Sequence, residues 1–281
     1  MQTTQASPIS LSENTFTKFQ EFIHSNFGIF LAEHKREMLG SRLRGIVARN
    51  DCSTFEAYFD RCLVNASGAH LEELMNAVST NHTYFNRESF HYDELKRRLP
   101  KLAERAEKRQ RRKEIRVWCA AASFGHEPYT LSMILADHFG SSYKSWDAGI
   151  LATDISDNAL EKARRGVYAD EEVMALPAAH RDRHLKRLPG GEWEICQARK
   201  TEVTFRRFNL MNELPFRKPF DVVFLRNVMI YFDSETQNEL VARIARHLYP
   251  GGLLFVGLAE SVSRSSPDFV PVANGVYERK P

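Results

Sequence analysis

The hydrophobic pattern of this 281-residue chain changes near residue 115. Up to about residue 90, apolar residues recur at helical spacing, as they do between Phe16 and Ile23. From Ile115 onward, short apolar runs alternate with helical segments. Alternation of this kind predicts a parallel sheet with helices on both faces. The sequence therefore predicts a helical amino-terminal domain followed by an α/β domain.

The predicted domain boundaries follow this change of pattern. They are a helical domain over residues 1–90, a basic linker over 91–114, and an α/β domain over 115–281 with a small β insertion at about 168–204. The stretch from Lys96 to Arg116 contains eleven Lys or Arg residues and three Glu residues, and a solvated helix face is the simplest interpretation of it. The run Asn65-Ala66-Ser67-Gly68 predicts a turn between helices.

Four apolar runs predict the strands of the α/β domain: Ile115–Ala121, Gly149–Ile155, Asp221–Leu225 and Leu253–Leu258. The run Ser234–Gln237 predicts a capping box for a helix that ends near Pro250-Gly251. Asn274-Gly275 predicts a hairpin, which makes the last strand antiparallel. A parallel sheet with an antiparallel last strand is typical of the Rossmann-like class I S-adenosylmethionine-dependent methyltransferase fold. The β insertion is predicted from Pro189-Gly190-Gly191 and the strand-like pieces Trp193–Cys196 and Val203–Phe208.

Composition argues against several classes of protein. The net charge of +3 does not demand a nucleic-acid partner. The four cysteines form no CxxC pair, so we predict neither a disulfide framework nor a metal site. No apolar run reaches the roughly 18 residues that a transmembrane helix needs. We therefore predict a cytoplasmic protein that does not insert into a membrane.

Two loops at the predicted carboxyl ends of strands are candidates for a ligand site, because open parallel sheets bind ligands there. The loop from Ala121 to Pro128 contains Gly125, which permits close approach of a ligand, although a single glycine at such a place is more often an ordinary turn. Asp154 follows the second strand, where a carboxylate can accept the hydroxyl hydrogens of a ribose or can cap a helix. The absence of GxGxxG disfavours a nicotinamide dinucleotide and favours S-adenosylmethionine.

Three further segments carry a specific resemblance. They are Asn81-His82-Thr83-Tyr84-Phe85-Asn86-Arg87, Arg116-Val117-Trp118 with the following Gly125–Tyr129 loop, and Leu225–Asp233. Together with Gly257–Ser261, these segments resemble the motifs of the chemotaxis receptor methyltransferases, the CheR family, over nearly the whole chain. The resemblance implies transfer of a methyl group from S-adenosylmethionine to glutamate side chains of receptors, with S-adenosylhomocysteine as the product.

The resemblance also implies a set of cofactor-binding residues. Arg87 would bind the methionine carboxylate, Asp154 the ribose, and Asn209 and Leu210 the adenine side. The full implied set is Asn81, Thr83, Arg87, Gly125, Glu127, Asp154, Asn209, Leu210, Arg226 and Asn227. Tyr231 would lie near the acceptor or pack in the core. Phe124, His126 and Asn86 depart from the family pattern, and we expect them to affect cofactor affinity and pH dependence more than the reaction.

The remaining expectations concern partners. Lys35, Arg42 and Arg49 recur every seven residues, which predicts either one cationic stripe for an acidic receptor coiled coil or three solvated side chains. Family members that bind a receptor carboxyl-terminal pentapeptide have a longer turn in the β insertion than Arg187–Trp193, so we predict methylation without that tether. We also predict a monomer with no nucleic-acid partner and no general base. The alternatives are an RNA methyltransferase and a non-catalytic protein that binds S-adenosylmethionine.

Overall fold

The computed structural model describes residues 9–64, 68–79, 81–110 and 113–281 of the chain. The chain divides into two units, Met1–Thr80 and Asn81–Pro281. Of the turn predicted at residues 65–68, residues 65–67 lie outside the described residues, and Gly68 is the first residue of a helix. Within the described ranges, no helix is both long and apolar enough to cross a membrane.

The described part of the first unit is helical. Its α-helices are α1 (Glu13–Phe27), α2 (Arg36–Arg49), α3 (Phe55–Tyr58) and α4 (Gly68–Val78), with a 3-10 turn at Glu33–Lys35 and a π turn at Phe59–Leu63. Helix α1 begins where the Ser12 hydroxyl accepts the Thr15 N–H, and it ends at Gly28, whose φ of 69° suits glycine. Phe16, Phe19 and Ile23, on its apolar stripe, are fully buried.

The second unit contains a seven-stranded sheet in the order β6-β2-β1-β7-β8-β10-β9. Its strands are β1 (Val117–Cys119), β2 (Ile150–Asp154), β6 (Val203–Arg207), β7 (Phe220–Leu225), β8 (Leu248–Val256), β9 (Phe269–Ala273) and β10 (Val276–Arg279). Strands β6, β2, β1, β7 and β8 are parallel, whereas β10 is antiparallel to β8 and to β9. The predicted mixed sheet with antiparallel carboxyl-terminal strands is therefore confirmed.

The helices of this unit flank the sheet strands along the chain. They are α5 (Phe90–Gln110), α6 (His126–Phe139), α7 (Asp157–Arg165), α8 (Asp170–Val173), α9 (Ala178–His184), α10 (Gln197–Glu202) and α11 (Ser234–Arg246), with 3-10 turns at Gly140–Ser145 and Met229–Tyr231. Helix α5 occupies most of the predicted basic linker. Its residues Tyr92, Leu95, Leu99 and Leu102 are buried in the core of the second unit, so this segment packs as part of that unit.

The β insertion is a separate three-stranded sheet in the order β3-β5-β4. Its strands are β3 (Val167–Tyr168), β4 (Leu185–Arg187) and β5 (Trp193–Ile195). The prediction that Val203–Phe208 belongs to the insertion is wrong, because β6 pairs with β2 at the edge of the large sheet. The alternating burial of Val203 and Phe205 gives β6 an apolar face for that sheet.

Two details near the carboxyl end also differ from the predictions. The cap of α11 is Asp233, whose carboxylate accepts the Thr236 N–H at 2.9 Å, and Ser234 is the first helical residue. The helix ends at Arg246, and Pro250-Gly251 lies inside β8 instead of ending a helix. Gly251 has a φ of 76°, and the register between β7 and β8 shifts here, so this dipeptide forms an irregularity within the strand.

Candidate functional site

Strands β2, β1 and β7 are neighbours in the sheet and run parallel. Their carboxyl ends therefore lie at one edge, followed by the loops that begin at Ala120, Ile155 and Arg226. The side chains on these loops form the candidate site, which lies wholly within the second unit.

Asp154 is the last residue of β2 and is 8% exposed. Its Oδ2 accepts the Ser123 N–H at 2.8 Å, and its Oδ1 accepts the Ser156 N–H at 2.9 Å. Burial raises the pKa of Asp154 above its ordinary value, although these backbone amides oppose the rise. The helix cap is Ser156, since its hydroxyl accepts the Ala159 N–H. Ser156, and not Asp154, therefore caps this helix.

Gly125 closes the loop after β1 with a φ of 90°. A Cβ atom at this position would lie 2.9 Å from the Ala163 Cβ and 2.9 Å from the Tyr168 hydroxyl. Residue 125 therefore has to be glycine, because its backbone is in the left-handed region and there is no room for a Cβ atom. The loop packs directly against α7 and β3. Helix α6 begins at the next residue, so its first unpaired N–H groups lie at this loop.

Arg226 follows β7, and its side chain is 1% exposed. Its guanidinium donates to Glu127 Oε2 at 2.8 Å, to Glu88 Oε2 at 3.1 Å and to the carbonyl of Arg87. Burial alone lowers the pKa of an arginine, but Glu127, Tyr92 and Glu88 raise the pKa of Arg226 above its ordinary value. Arg226 is therefore a permanently charged group that joins the segment before α5 to the first turn of α6.

Glu88 was missed by the sequence analysis. Its Oε1 accepts the Asn227 side-chain N–H at 3.1 Å, and its Oε2 accepts the Leu258 N–H at 3.3 Å in addition to Arg226. Burial opposes ionisation, but the His91 imidazole 3.4 Å away, the hydrogen bond from Asn227 and the charge of Arg226 lower the pKa of Glu88 to about 2. In the sequence, Glu88 is distinguished by being an acidic residue directly after Arg87.

Glu260 is a second carboxylate without a predicted role. It accepts the backbone N–H groups of Gly257 at 2.6 Å, Asn227 at 2.8 Å and Ile230 at 3.1 Å. Burial raises the pKa of Glu260 above its ordinary value, although the hydrogen bonds from these amides act in the opposite direction. Asn227 has a φ of 56°, a conformation that asparagine tolerates better than most residues. The loop after β7 is therefore held between Glu88 and Glu260.

The other predicted cofactor residues lie on the segment before α5 and on the segment after β6. The Asn81 side-chain oxygen accepts the Ser123 hydroxyl at 3.3 Å, which places Asn81 beside the loop after β1. The Phe208 N–H donates to the Asp154 carbonyl at 2.9 Å, so the segment that leads to Asn209 and to the buried Leu210 begins beside the β2 end. Thr83 is partly buried on the segment before α5. Arg87 donates to the His82 carbonyl.

The three departures from the family pattern have different surroundings. His126 is fully buried, and its Nε2 lies 3.1 Å from Glu172 Oε1. Burial lowers the pKa of His126, and the hydrogen bond to Glu172 opposes this only in part. Phe124 is partly buried, with the Lys162 ammonium 4.8 Å from its ring centre. Asn86 has a φ of 60°.

The predicted cationic stripe lies in the first unit. Arg42 donates to the carbonyl of Ala77 at 3.1 Å and to that of Ser79 at 3.4 Å, so it also has an internal structural role. Arg49 is 64% exposed and lies 3.5 Å from Glu73. Lys35 ends the 3-10 turn before α2 and is partly buried.

Comparison with protein families identifies the class of protein to which this arrangement belongs. A family model described as "CheR methyltransferase, SAM binding domain" matches residues 81–277, and one described as "CheR methyltransferase, all-alpha domain" matches residues 14–79. The second unit is thus the domain of an S-adenosylmethionine-dependent methyltransferase. The two matches together cover most of the chain in the order expected. The chain belongs to the CheR methyltransferase family.

Similar proteins carry consistent names. A chemotaxis protein methyltransferase from Borreliella burgdorferi is 36% identical over 256 residues, which are 90% of this chain and 90% of that protein. One from Escherichia coli is 36% identical over 273 residues, 96% of this chain and 92% of that protein. One from Salmonella typhimurium is also 36% identical, over 96% of this chain and 91% of that protein.

Proposed function

We propose that the protein transfers the methyl group of S-adenosylmethionine to glutamate side chains of chemotaxis receptors and forms glutamate methyl esters. The observation that carries this proposal is the ion cluster of Arg226 with Glu127 and Glu88 in a chain of the CheR family. Arg226 follows β7, and only β1 lies between β7 and the strand that ends in Asp154. The names of the similar chemotaxis proteins support the choice of substrate.

Two features of the site fit S-adenosylmethionine. The Asp154 carboxylate has about four acceptor positions, so it can bind ribose hydroxyls in addition to the amides that hold it. The first N–H groups of α6, next to Gly125, have no partners within the helix and can donate hydrogen bonds to the cofactor. The bound cofactor supplies the methyl group on a positively charged sulfur.

The reaction depends on the positioning of the two reactants and needs no proton transfer by the protein. A glutamate with its ordinary pKa of about 4.3 is already ionised at neutral pH, so the acceptor needs no general base. The positive sulfonium and the negative carboxylate both lose charge during an in-line displacement, which a desolvated and well-oriented site favours. The protein then has to orient the acceptor oxygen opposite the sulfur and exclude water.

Cys119 does not act as an intermediate methyl carrier in this mechanism. Its thiol is fully buried and donates to Glu127 Oε1 at 3.0 Å. Burial raises the pKa of Cys119 well above its ordinary value, with the charge of Glu127 acting in the same direction. The thiol therefore remains protonated, and a thiol is a poor nucleophile compared with a thiolate.

We further propose that the cationic stripe of the first unit binds the acidic coiled coil of the receptor. Lys35 and Arg49 are the residues to reverse, because replacing Arg42 would also remove its bonds to two carbonyls. The double variant Lys35→Glu/Arg49→Glu should methylate receptors more slowly while cofactor affinity stays unchanged, and added salt should reduce the wild-type rate in the same way. Equal receptor methylation by the variant and the wild type would contradict the stripe proposal.

The experiment that tests the function is transfer of a labelled methyl group from S-adenosylmethionine. Receptor-bearing membranes, receptor-free membranes and total RNA serve as parallel acceptors. We expect label only in the receptor. Label in RNA would favour the RNA methyltransferase alternative, and cofactor binding without any transfer would favour the non-catalytic alternative.

A further inference from the structure

His91 is a fully buried histidine beside the ion cluster of Arg226, and the proposed mechanism gives it no role. Its Nε2 lies 3.2 Å from the carbonyl oxygen of Asn274, in the turn between β9 and β10. Its Nδ1 lies 3.4 Å from Glu88 Oε2. The ring therefore lies between the carboxyl-terminal hairpin and a carboxylate that holds the site.

Both ring nitrogens of His91 face oxygens that can only accept hydrogen bonds. The Asn274 carbonyl has no hydrogen to donate, and neither has an ionised carboxylate. Although burial opposes ionisation, the His91 ring, the hydrogen bond from Asn227 and the charge of Arg226 lower the pKa of Glu88 to about 2. A neutral imidazole has a hydrogen on one nitrogen only, so each neutral tautomer places a lone pair against one of the two oxygens. The imidazolium is the form that satisfies both contacts.

The charge of the ion cluster favours the same form. Glu88 and Glu127 both pair with Arg226, so the cluster has two carboxylates for one guanidinium. A buried charge is costly unless it is paired, and an imidazolium at His91 balances the second carboxylate. Burial and the position of His91 in the first turn of α5 both disfavour a cation. The two acceptor oxygens and the second carboxylate act in the opposite direction.

The carboxyl-terminal hairpin approaches this ring closely. Gly275 has a φ of 65°, and a Cβ atom there would lie 2.7 Å from His91 Nε2 and 2.7 Å from the carbonyl of Val256. Glycine at this position is thus what lets the hairpin reach the imidazole. On β8, the ring centre of Phe255 lies 5.8 Å from that of His91 and adds no charge.

We infer that His91 is a positioning residue that carries a proton on both ring nitrogens in the active enzyme and thereby fixes the Glu88 carboxylate. That carboxylate accepts hydrogen bonds from Arg226, Asn227 and Leu258, so its position determines theirs. Loss of a proton from His91 would set a lone pair against Glu88 or against the hairpin carbonyl. The contribution of His91 is therefore present at low pH and lost as the pH rises through its titration. This inference rests on the proposed function, because it concerns the site of that reaction.

The protonation state can be measured on the full chain without any substrate. Nitrogen NMR of protein with isotope-labelled histidine distinguishes an imidazolium from each neutral tautomer. His91→Gln removes one of the ten histidines and so assigns its signals. If this variant does not fold, through-space contacts with the Phe255 ring assign them in the wild type. We expect both nitrogens of His91 to carry hydrogen at pH 7. A bare nitrogen at that pH would overturn the inference.

The pH profile of methylation tests the positioning role. Glutamine at position 91 can donate a hydrogen bond but cannot become charged, so His91→Gln should lose this part of the pH dependence. We expect kcat/KM for receptor methylation to fall about tenfold more in the wild type than in His91→Gln between about pH 7 and pH 9. Titration of the receptor and of the cofactor is common to both enzymes, so the difference between the two profiles reports His91. His138→Gln, at an exposed position of α6, is the matched control and should follow the wild type.

Two results of this assay would overturn the inference. They are a wild-type rate that does not fall over this pH range, and profiles of the wild type and His91→Gln that run parallel. A wild type that methylates no receptor would instead overturn the proposed function, and the NMR measurement would still decide the protonation state of His91.

Discussion

Glu88 provides a demanding test of the site, because its carboxylate connects three parts of it. The variant Glu88→Gln keeps the size of the side chain but removes its charge and replaces one acceptor oxygen by an NH2 group. Arg226, Asn227 and Leu258 all donate to the wild-type carboxylate, so the amide of glutamine would face at least one donor.

The magnitude follows from the contacts. Removing one partner of a buried ion pair costs about 3–5 kcal/mol, and a hydrogen bond to a charged group contributes about 1.5–3 kcal/mol. Arg226 retains Glu127 after the change, and the Glu88 side chain is 15% exposed, so the loss should fall below the first of these ranges and within the second. We expect Glu88→Gln to lower the free energy of unfolding by about 2–3 kcal/mol at pH 7.

Urea unfolding followed by tryptophan fluorescence measures this loss. All three tryptophans, Trp118, Trp146 and Trp193, belong to the second unit, so the signal reports that unit. The exposed Glu161→Gln on α7 is the matched control and should change the free energy by less than about 0.5 kcal/mol.

The pH dependence of the loss has a defined sign. Because the pKa of Glu88 is lowered to about 2 in the folded state, its charge stabilises the fold above the unfolded pKa of about 4.3. The difference between wild type and Glu88→Gln should be constant from pH 7 to about pH 5 and shrink as the pH falls toward 2. A difference below about 1 kcal/mol at pH 7, or one that grows on acidification, would refute the assignment.

Three further predictions concern the site and the β insertion. Asp154→Ala and Arg87→Ala should each weaken S-adenosylmethionine binding by about 1.5–3 kcal/mol in calorimetry, and unchanged affinity in both would remove the site assignment. Gly125→Ala should destabilise the second unit by about 1–3 kcal/mol in urea, since its Cβ would crowd Ala163 and Tyr168, whereas neutral behaviour would contradict the packing described. A receptor carboxyl-terminal pentapeptide should give no saturable heat, and its removal should leave the methylation rate unchanged.

The last of these predictions concerns the turn between β4 and β5, which is closed by backbone hydrogen bonds. The Leu188 N–H donates to the Glu192 carbonyl at 2.7 Å, and the Gly191 N–H donates to the Leu188 carbonyl at 3.0 Å. Gly191 has a φ of 88°, which glycine adopts without strain. The five residues from Leu188 to Glu192 thus form a closed turn with its own backbone hydrogen bonds. A loop that clasps a peptide would have to open these bonds.

Much of the fold could be predicted from apolar periodicity. The runs before Asp154 and Arg226 are buried on both faces of a central sheet, so they appear in the sequence as continuous apolar segments. Asn274-Gly275 predicts the final hairpin through local turn chemistry. A short run with alternating burial looks the same in either sheet, so the sequence pattern does not separate β6 from the strands of the insertion, and only long-range pairing with β2 decides between them.

A site residue could be predicted where its place next to a strand indicates its role. It could not be predicted where its role depends on contacts with residues far away in the sequence. Asp154 is recognisable because it ends a buried strand. Glu88 and Glu260 are ordinary acidic residues in sequence, and 172 positions separate them. Their importance arises only when the fold brings both carboxylates to Asn227. No local pattern encodes a contact of that kind.

The chemistry of the product tests the central claim most directly. After labelled transfer to receptor-bearing membranes, the modified receptor is treated with mild base and the volatile label is measured. A glutamate methyl ester hydrolyses and releases its methyl group as methanol, whereas a methylated amine or amide keeps it. We predict that the receptor label is released by base, and that mass spectrometry of untreated receptor peptides places it on glutamate. A base-stable methyl group on the receptor, or label confined to another macromolecule, would contradict the account.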